Sequence, residues 1–283
     1  MKRLVIWIAA ILMPIMGFAQ AQVNTKKVKI SDFTQKVTKV VLTGNMFYDS
    51  SLQDEIVARW KVSPYEFCSL EEFEEFKGND EYYFLLSTKG QFKKETEPGL
   101  QFLTLVKGGK KAEEGIDNML EIVSMPVCAA EDPSGRELTF IPAFLDIIQN
   151  FALDAMEKDL NAYTGLSNYS LNLYDTKGKK VLFAVEDLSS EITDAVKETS
   201  FDADMLTAEA DDVDEVMAKG EESMAVSYVA APSDPVPGSY CYKMLIDNHS
   251  HKLYYFKKHK ITKSTGAGFL AEDIRRISTY RAK

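Results

Sequence analysis

KVTKVVLTGNMFYDSSLQDEIVARW, residues 36–60, carries a strand signal followed at once by a helix signal. Residues 37–43 are rich in β-branched side chains and read as a strand. Ser50 and Ser51 then precede an apolar-periodic segment. The spacing predicts a helix over 52–60 with serine as its cap, because a serine hydroxyl accepts a first-turn N–H. A second stretch, KVLFAVEDLSSEITDAVKE at residues 180–198, repeats that order. It has a strand at 180–185, then Ser189 and Ser190, then a helix at 191–198. Lys39-Val40-Val41-Leu42 matches Lys180-Val181-Leu182-Phe183, and Lys77-Gly78 matches Lys219-Gly220 at nearly the same offset.

Beyond these stretches both copies continue alike. A short strand, 65–69 or 204–208, leads to an acidic helix, 70–77 or 211–219. Gly78 or Gly220 ends that helix, as glycine commonly does. Next come a strand at 82–88 or 224–230 and, after a Pro- and Gly-bearing loop, a strand at 100–107 or 240–246. The second copy adds a hairpin partner at 251–258, and a last helix closes each copy, 115–123 or 269–278. Strands separated by helices pair in parallel, whereas the late hairpin is antiparallel. The expected fold is therefore α/β: two related β-α-β-α-β-β-α units with mixed sheets, joined by a long helix. The first unit spans 22–130, the linker and long helix 131–167, and the second unit 168–283. The long helix is expected from Pro142, a residue suited to a first turn, to Tyr163. Phe144, Leu145, Ile148, Phe151, Ala152, Ala155 and Met156 lie on one of its faces, which is expected to pack on one or both units. Residues 168–174 read as a strand and 175–178 as a hairpin turn.

The 283 residues carry a formal net charge of −10 and are 45% hydrophobic. That is enough apolar residue for a core, and it excludes disorder, collagen and a disulfide-dense scaffold as whole-chain readings. The acidic balance argues against a nucleic-acid partner, whose backbone selects positive surface. Lys2 and Arg3, the apolar run 4–18 and Ala19-Gln20-Ala21 read as a secretory signal cleaved near Ala21. The rival reading, a membrane anchor, needs about 20 apolar residues, and this run is shorter. No cysteine adjoins the cleavage position, and no later stretch reads as a transmembrane anchor. The mature chain is expected to be soluble and periplasmic or secreted.

The strand at 39–42, the serine-capped helix after Ser51, and the strands at 65–69 and 82–88 follow an order that resembles the α/β unit of the TolB N-terminal domain. It also resembles the CsgG-like periplasmic lipoproteins. The match is one of element types and covers about half the mature chain if both copies count. Those families assemble or couple envelope machinery and are not enzymes, so the resemblance implies an envelope protein partner. This chain lacks the propeller that follows in TolB and the lipobox cysteine of the lipoproteins, and no functional residue carries over.

Three constellations offer chemistry. His249 and His251 share a strand parity with Asp247, a set that suits zinc or a similar metal. Asn248 and Ser250 favour a solvated turn instead, and His259 sits among Lys257, Lys258 and Lys260. Lys107-Gly108-Gly109-Lys110 and the segment from Lys263 through Gly266 to Gly268 each precede an expected helix, where backbone N–H groups can hold a phosphate-like anion. Neither has the full spacing of a phosphate-binding loop, and glycine also serves tight turns. The acidic run around Asp211, Asp212, Asp214 and Glu215 does not fit a calcium loop and reads as a solvated helix face.

Cys68, Cys128 and Cys241 form no Cys-x-x-Cys pair and read as buried thiols, although a disulfide stays open. No nucleophile elbow or Ser-x-x-Lys set is present. No catalytic residue and no cofactor is expected. The leading expectation is a non-enzymatic binding or assembly module of the cell envelope. The alternative is a small-ligand or anion-binding protein using the cleft between units or the Gly-Lys loops, with a hydrolase third.

Overall fold

The computed structural model describes residues 30–157, 165–220 and 222–282; the expected signal segment lies outside them. Unit one runs β1 (Val37–Val41), α1 (Met46–Arg59), β2 (Tyr65–Cys68), α2 (Leu70–Phe76), β3 (Tyr82–Gly90), β4 (Leu100–Lys107), β5 (Leu120–Ala129) and α3 (Arg136–Glu157). Unit two runs β6 (Val181–Ala184), α4 (Asp194–Ser200), β7 (Met205–Ala208), α5 (Ala210–Lys219), β8 (Ala225–Ala230), β9 (Tyr240–Asp247), β10 (Leu253–Lys260) and α6 (Ala271–Ala282). The sheets have the orders β2-β1-β3-β4-β5 and β7-β6-β8-β9-β10, which is one topology used twice. In both, the first three strands are parallel and the last two antiparallel. The fold is α/β with two similar units.

Backbone pairing fixes which residues correspond. Thr38 stands beside Tyr65 and Tyr83; Val181 stands beside Met205 and Ala225. Thr38 and Val181 thus hold the same place, two residues from where the match of Lys39 with Lys180 puts them. A slip of two leaves every side chain on its original face, so the pattern matched although the register did not.

Five elements differ from the sequence reading. Helix α1 starts at Met46, not after Ser51; Asn45 caps it, accepting from Phe47 N and Tyr48 N. In unit two Thr193, not Ser189 or Ser190, caps α4. Residues 115–123 hold a 3-10 turn and the start of strand β5 rather than a helix, so both units carry a third late strand. The closing helix of unit one is α3, which begins at Arg136 and carries Pro142 in its interior. Proline there removes the bond to the carbonyl four residues earlier, a cost that the buried face of the helix outweighs. Residues 168–174 belong to a 3-10 helix, Gly165–Thr176, instead of a strand.

Helices α1 and α3 cover one face of sheet one and α2 the other; α4 and α6 cover one face of sheet two and α5 the other. The largest core joins the units. Phe140 and Phe144 of α3 pack on Tyr228 of β8, with centroids 4.4 and 5.3 Å apart. Both phenylalanines are fully buried, worth about 2–3 kcal/mol each. By length and apolarity α3 could cross a bilayer, but it is largely buried between the units as a core helix.

The last strand of each sheet has a different cover. The Val127 carbonyl on β5 accepts from the Tyr228 hydroxyl of unit two at 2.6 Å. On β10, Ser170 Oγ bonds both Phe256 O (2.9 Å) and Phe256 N (3.1 Å), and Asn172 Nδ2 donates to Leu253 O. A sheet edge left with unpaired backbone invites unwanted strand pairing, and on both last strands part of the backbone is engaged by another element.

Candidate functional site

In parallel α/β sheets the strand ends that lead into helices form the natural ligand-facing edge. In unit one this edge begins with Leu42-Thr43-Gly44-Asn45. Gly44 has φ +86°, a conformation glycine supplies without strain. Asp49 clamps the turn: it accepts from Thr43 N at 2.9 Å, Thr43 Oγ1 at 2.8 Å and Gly44 N at 2.8 Å. The turn therefore presents the first two residues of α1 rigidly. Met46 and Phe47 are each 80% exposed. Leu70, which opens α2 at the same edge, is 55% exposed. Glu71, Glu72, Glu74 and Glu75 of α2 are also exposed. Two large apolar side chains thus stand exposed on a fixed turn, at the same strand edge as the start of the negatively charged α2.

The same edge of unit two is filled. Asp187 follows β6 and is buried; it bonds Ser227 Oγ at 2.5 Å and Arg136 Nη1 at 3.0 Å. Arg136 Nε pairs with Asp214 of α5 at 3.0 Å. Burial alone would lower the Arg136 pKa, but the two carboxylates raise it, so it stays a cation. Burial raises the Asp187 carboxyl, a rise that Arg136 and Ser227 partly offset. The segment before α6 closes the rest: Phe269 N donates to Asp187 O, and Ser189 N to Phe269 O.

The residues singled out for metal or anion binding are dispersed and engaged. Asp247 Oδ1 accepts from His249 N and Ser250 N, while Oδ2 accepts from Ser223, Tyr254 and Lys179. His249 Nδ1 lies 2.7 Å from Gly220 O, and His251 Nδ1 lies 2.6 Å from Asp146 Oδ2 of α3. The two imidazoles thus turn to different neighbours, and His251 ties the β9–β10 turn to unit one. No group of three or more His, Cys, Asp or Glu among the described residues is placed to hold a metal.

The glycine loops are similarly committed. Lys107 Nζ bonds both oxygens of Asp32, Gly108 N donates to Tyr82 O, and Gly109 N to Lys77 O. A Cβ at Gly108 would lie 2.2 Å from Asn79 O, so close packing explains that glycine. Lys110 opens a short 3-10 helix rather than an α-helix. Gly266 O lies 2.8 Å from His259 Nε2, and Gly268 N donates to Cys241 Sγ. Lys263 is exposed. At the start of α6, Leu270 N and Ala271 N donate to Asp273 and Glu191.

All three cysteines are free thiols and buried. Burial pushes Cys68 up to about 11 and Cys128 and Cys241 up to about 12, which keeps them protonated and poorly nucleophilic. One carboxyl is tuned near neutrality. Burial raises Glu121 to about 7, partly offset by Ser124. Ser124 closes a hydroxyl row with Thr104 and Thr88 across three strands.

The apolar crest is the feature sequence reasoning missed. Its signal was present: Met46 and Phe47 follow a Gly-Asn turn and fall off the buried stripe Tyr48, Leu52, Ile56. Placing the helix start after Ser51 hid it. No family model, curated protein or solved structure matches the chain.

Proposed function

We propose that the chain is an exported, non-enzymatic binding or assembly module that contacts another protein of the cell envelope. The observation that carries this reading is the rigid exposure of Met46 and Phe47 on a turn clamped by Asp49. Rigid apolar anchors bind with little ordering cost, which is what a docking hot spot requires. The sequence over residues 2–21 supports export. The resemblance to envelope α/β units supports the setting, at the level of element order.

The test is crosslinking and affinity capture of the tagged full chain from intact envelopes, with mass spectrometry of the retained material. The chain carrying Met46→Ser and Phe47→Ser serves as comparison. One dominant envelope protein, reduced at least tenfold by the double substitution, is the expected result. No specific partner, or a partner indifferent to the substitutions, would overturn the reading.

A further inference from the structure

Unit two shows what a unit of this fold does with the space beside its acidic second helix. It grips the head of α3. Arg136 reaches Asp214 on α5 and Asp187 after β6, and its guanidinium lies 5.5 Å from the ring centre of Tyr228. Phe140 follows one turn later and packs on the same Tyr228. A cation on the acidic helix and an apolar side chain beside it are the two parts of the grip.

Strand pairing identifies the corresponding residues of unit one. Tyr65 and Met205 share a place, and both second helices begin two residues beyond the last paired residue, Cys68 or Ala208. Leu70 therefore corresponds to Ala210 and Glu74 to Asp214. Leu86 of β3 corresponds to Tyr228 by the same pairing. Ala210 packs on the shared core, whereas Leu70 is 55% exposed. The Asp214 side chain is 15% exposed under Arg136; that of Glu74 is 63% exposed and pairs with Lys77 on its own helix. The opposite end of this face is closed by Ala112 and Met119, which pack with Phe84 and Val106. Leu86 at the Tyr228 place is itself buried, so what this end leaves exposed is Leu70 and Glu74 of α2.

We propose that this end of unit one is a docking seat for a partner segment with a cationic side chain next to an apolar one, gripped in trans as α3 is gripped in cis. The proposal rests on the protein-binding reading above and names the chemistry of the partner. The cation meets Glu74 with Glu71 and Glu75 nearby, and the apolar side chain covers Leu70. The negative charge of α2 turns away acidic partners.

The segment gripped by unit two is itself the probe. A labelled synthetic peptide of residues 134–146, the head of α3, is titrated against the full chain by fluorescence anisotropy. Saturable binding that weakens with added salt is expected. It should fall at least tenfold with Leu70→Asp or Glu74→Arg, both exposed positions whose melting temperatures should match the parent chain. A peptide carrying Arg136→Glu should bind the parent chain poorly and the Glu74→Arg chain better. No saturable binding, equal binding of both peptides, or indifference to both substitutions overturns the seat. Envelope capture separates this from the wider reading. A partner still captured by the Leu70→Asp chain overturns the seat alone, whereas no partner for the parent chain overturns the binding reading.

Discussion

Leu103 and Lys243 hold the same place in the two sheets. Leu103 pairs with Ser87 and Lys243 with Val229, on strands in matching registers. Leu103 is buried in the core beneath the helices of unit one. Lys243 is equally buried but charged, and it pairs with Asp273 of α6. Asp273 also accepts from the Tyr255 hydroxyl at 2.6 Å and from Leu270 N at 2.9 Å. Burial draws the lysine pKa down, and Asp273 opposes that shift. The strand ends differ in sense too. Lys107 of unit one pairs with Asp32, while the corresponding Asp247 of unit two pairs with Lys179. The fold therefore demands a filled, satisfied position and accepts either leucine or an ion pair. A buried pair is weak evidence of extra stability, because desolvation consumes most of its Coulombic gain.

Breaking the pair on one side should have the largest effect. Asp273→Ala leaves Lys243 buried and unpaired, and chemical denaturation should show a loss of about 3–5 kcal/mol. The double change Lys243→Leu with Asp273→Asn imitates unit one and keeps an acceptor for Tyr255 and Leu270. It should recover most of that loss; a double variant as unstable as Asp273→Ala would show that unit two needs the charge.

Next in size is Arg136→Ala, which strands Asp187 and Asp214 at the filled edge. It should cost about 3 kcal/mol and raise amide exchange in α5 and β8 before α1 and β2. Uniform exchange across both units would mean that Arg136 does not distinguish the two edges.

Glu121 of unit one and Asp247 of unit two respond oppositely to pH. The folded-state value of Glu121, about 7, lies above its ordinary 4.5, so the folded chain binds that proton more tightly. The stabilisation is complete below about pH 4.5 and is lost as pH rises through 7, on the order of 3 kcal/mol in all. Melting curves at pH 5 and pH 8 should differ accordingly, and Glu121→Gln should shrink the difference. Asp247, held well below the ordinary carboxylate range despite burial by Ser250 and by the Ser223 and Tyr254 hydroxyls, acts oppositely: its contribution disappears as pH falls below 4. The smallest expected effect is at the crest. Met46→Ser and Phe47→Ser should each change stability by less than about 0.5 kcal/mol, in contrast to the tenfold loss of partner capture expected of the pair.

The repeated strand-helix order was legible because it is written in local pattern. Lys39–Leu42 and Lys180–Phe183 carry the β-branched and apolar runs of paired central strands, and Gly220 ends α5 in the left-handed conformation. Residues 115–123 were misread because Gly115-Ile116-Asp117-Asn118 breaks the chain into 3-10 turns before a strand begins. Alternation shorter than a full strand does not separate strand from helix. Of the candidate sites, the histidines and glycine loops were visible as residue types. Their engagement was not, because Asp146 and Tyr82 are distant in sequence from the groups they meet.

Sequence alone determined the α/β class, the doubling of the unit and the absence of a familiar catalytic motif, since each follows from local spacing and residue type. Tertiary structure decided which face of each unit is covered and by what. Arg136 fills one edge and leaves Met46, Phe47 and Leu70 bare at the other. That outcome depends on packing between residues far apart in the chain, where burial and charge are set by neighbours that no local window contains.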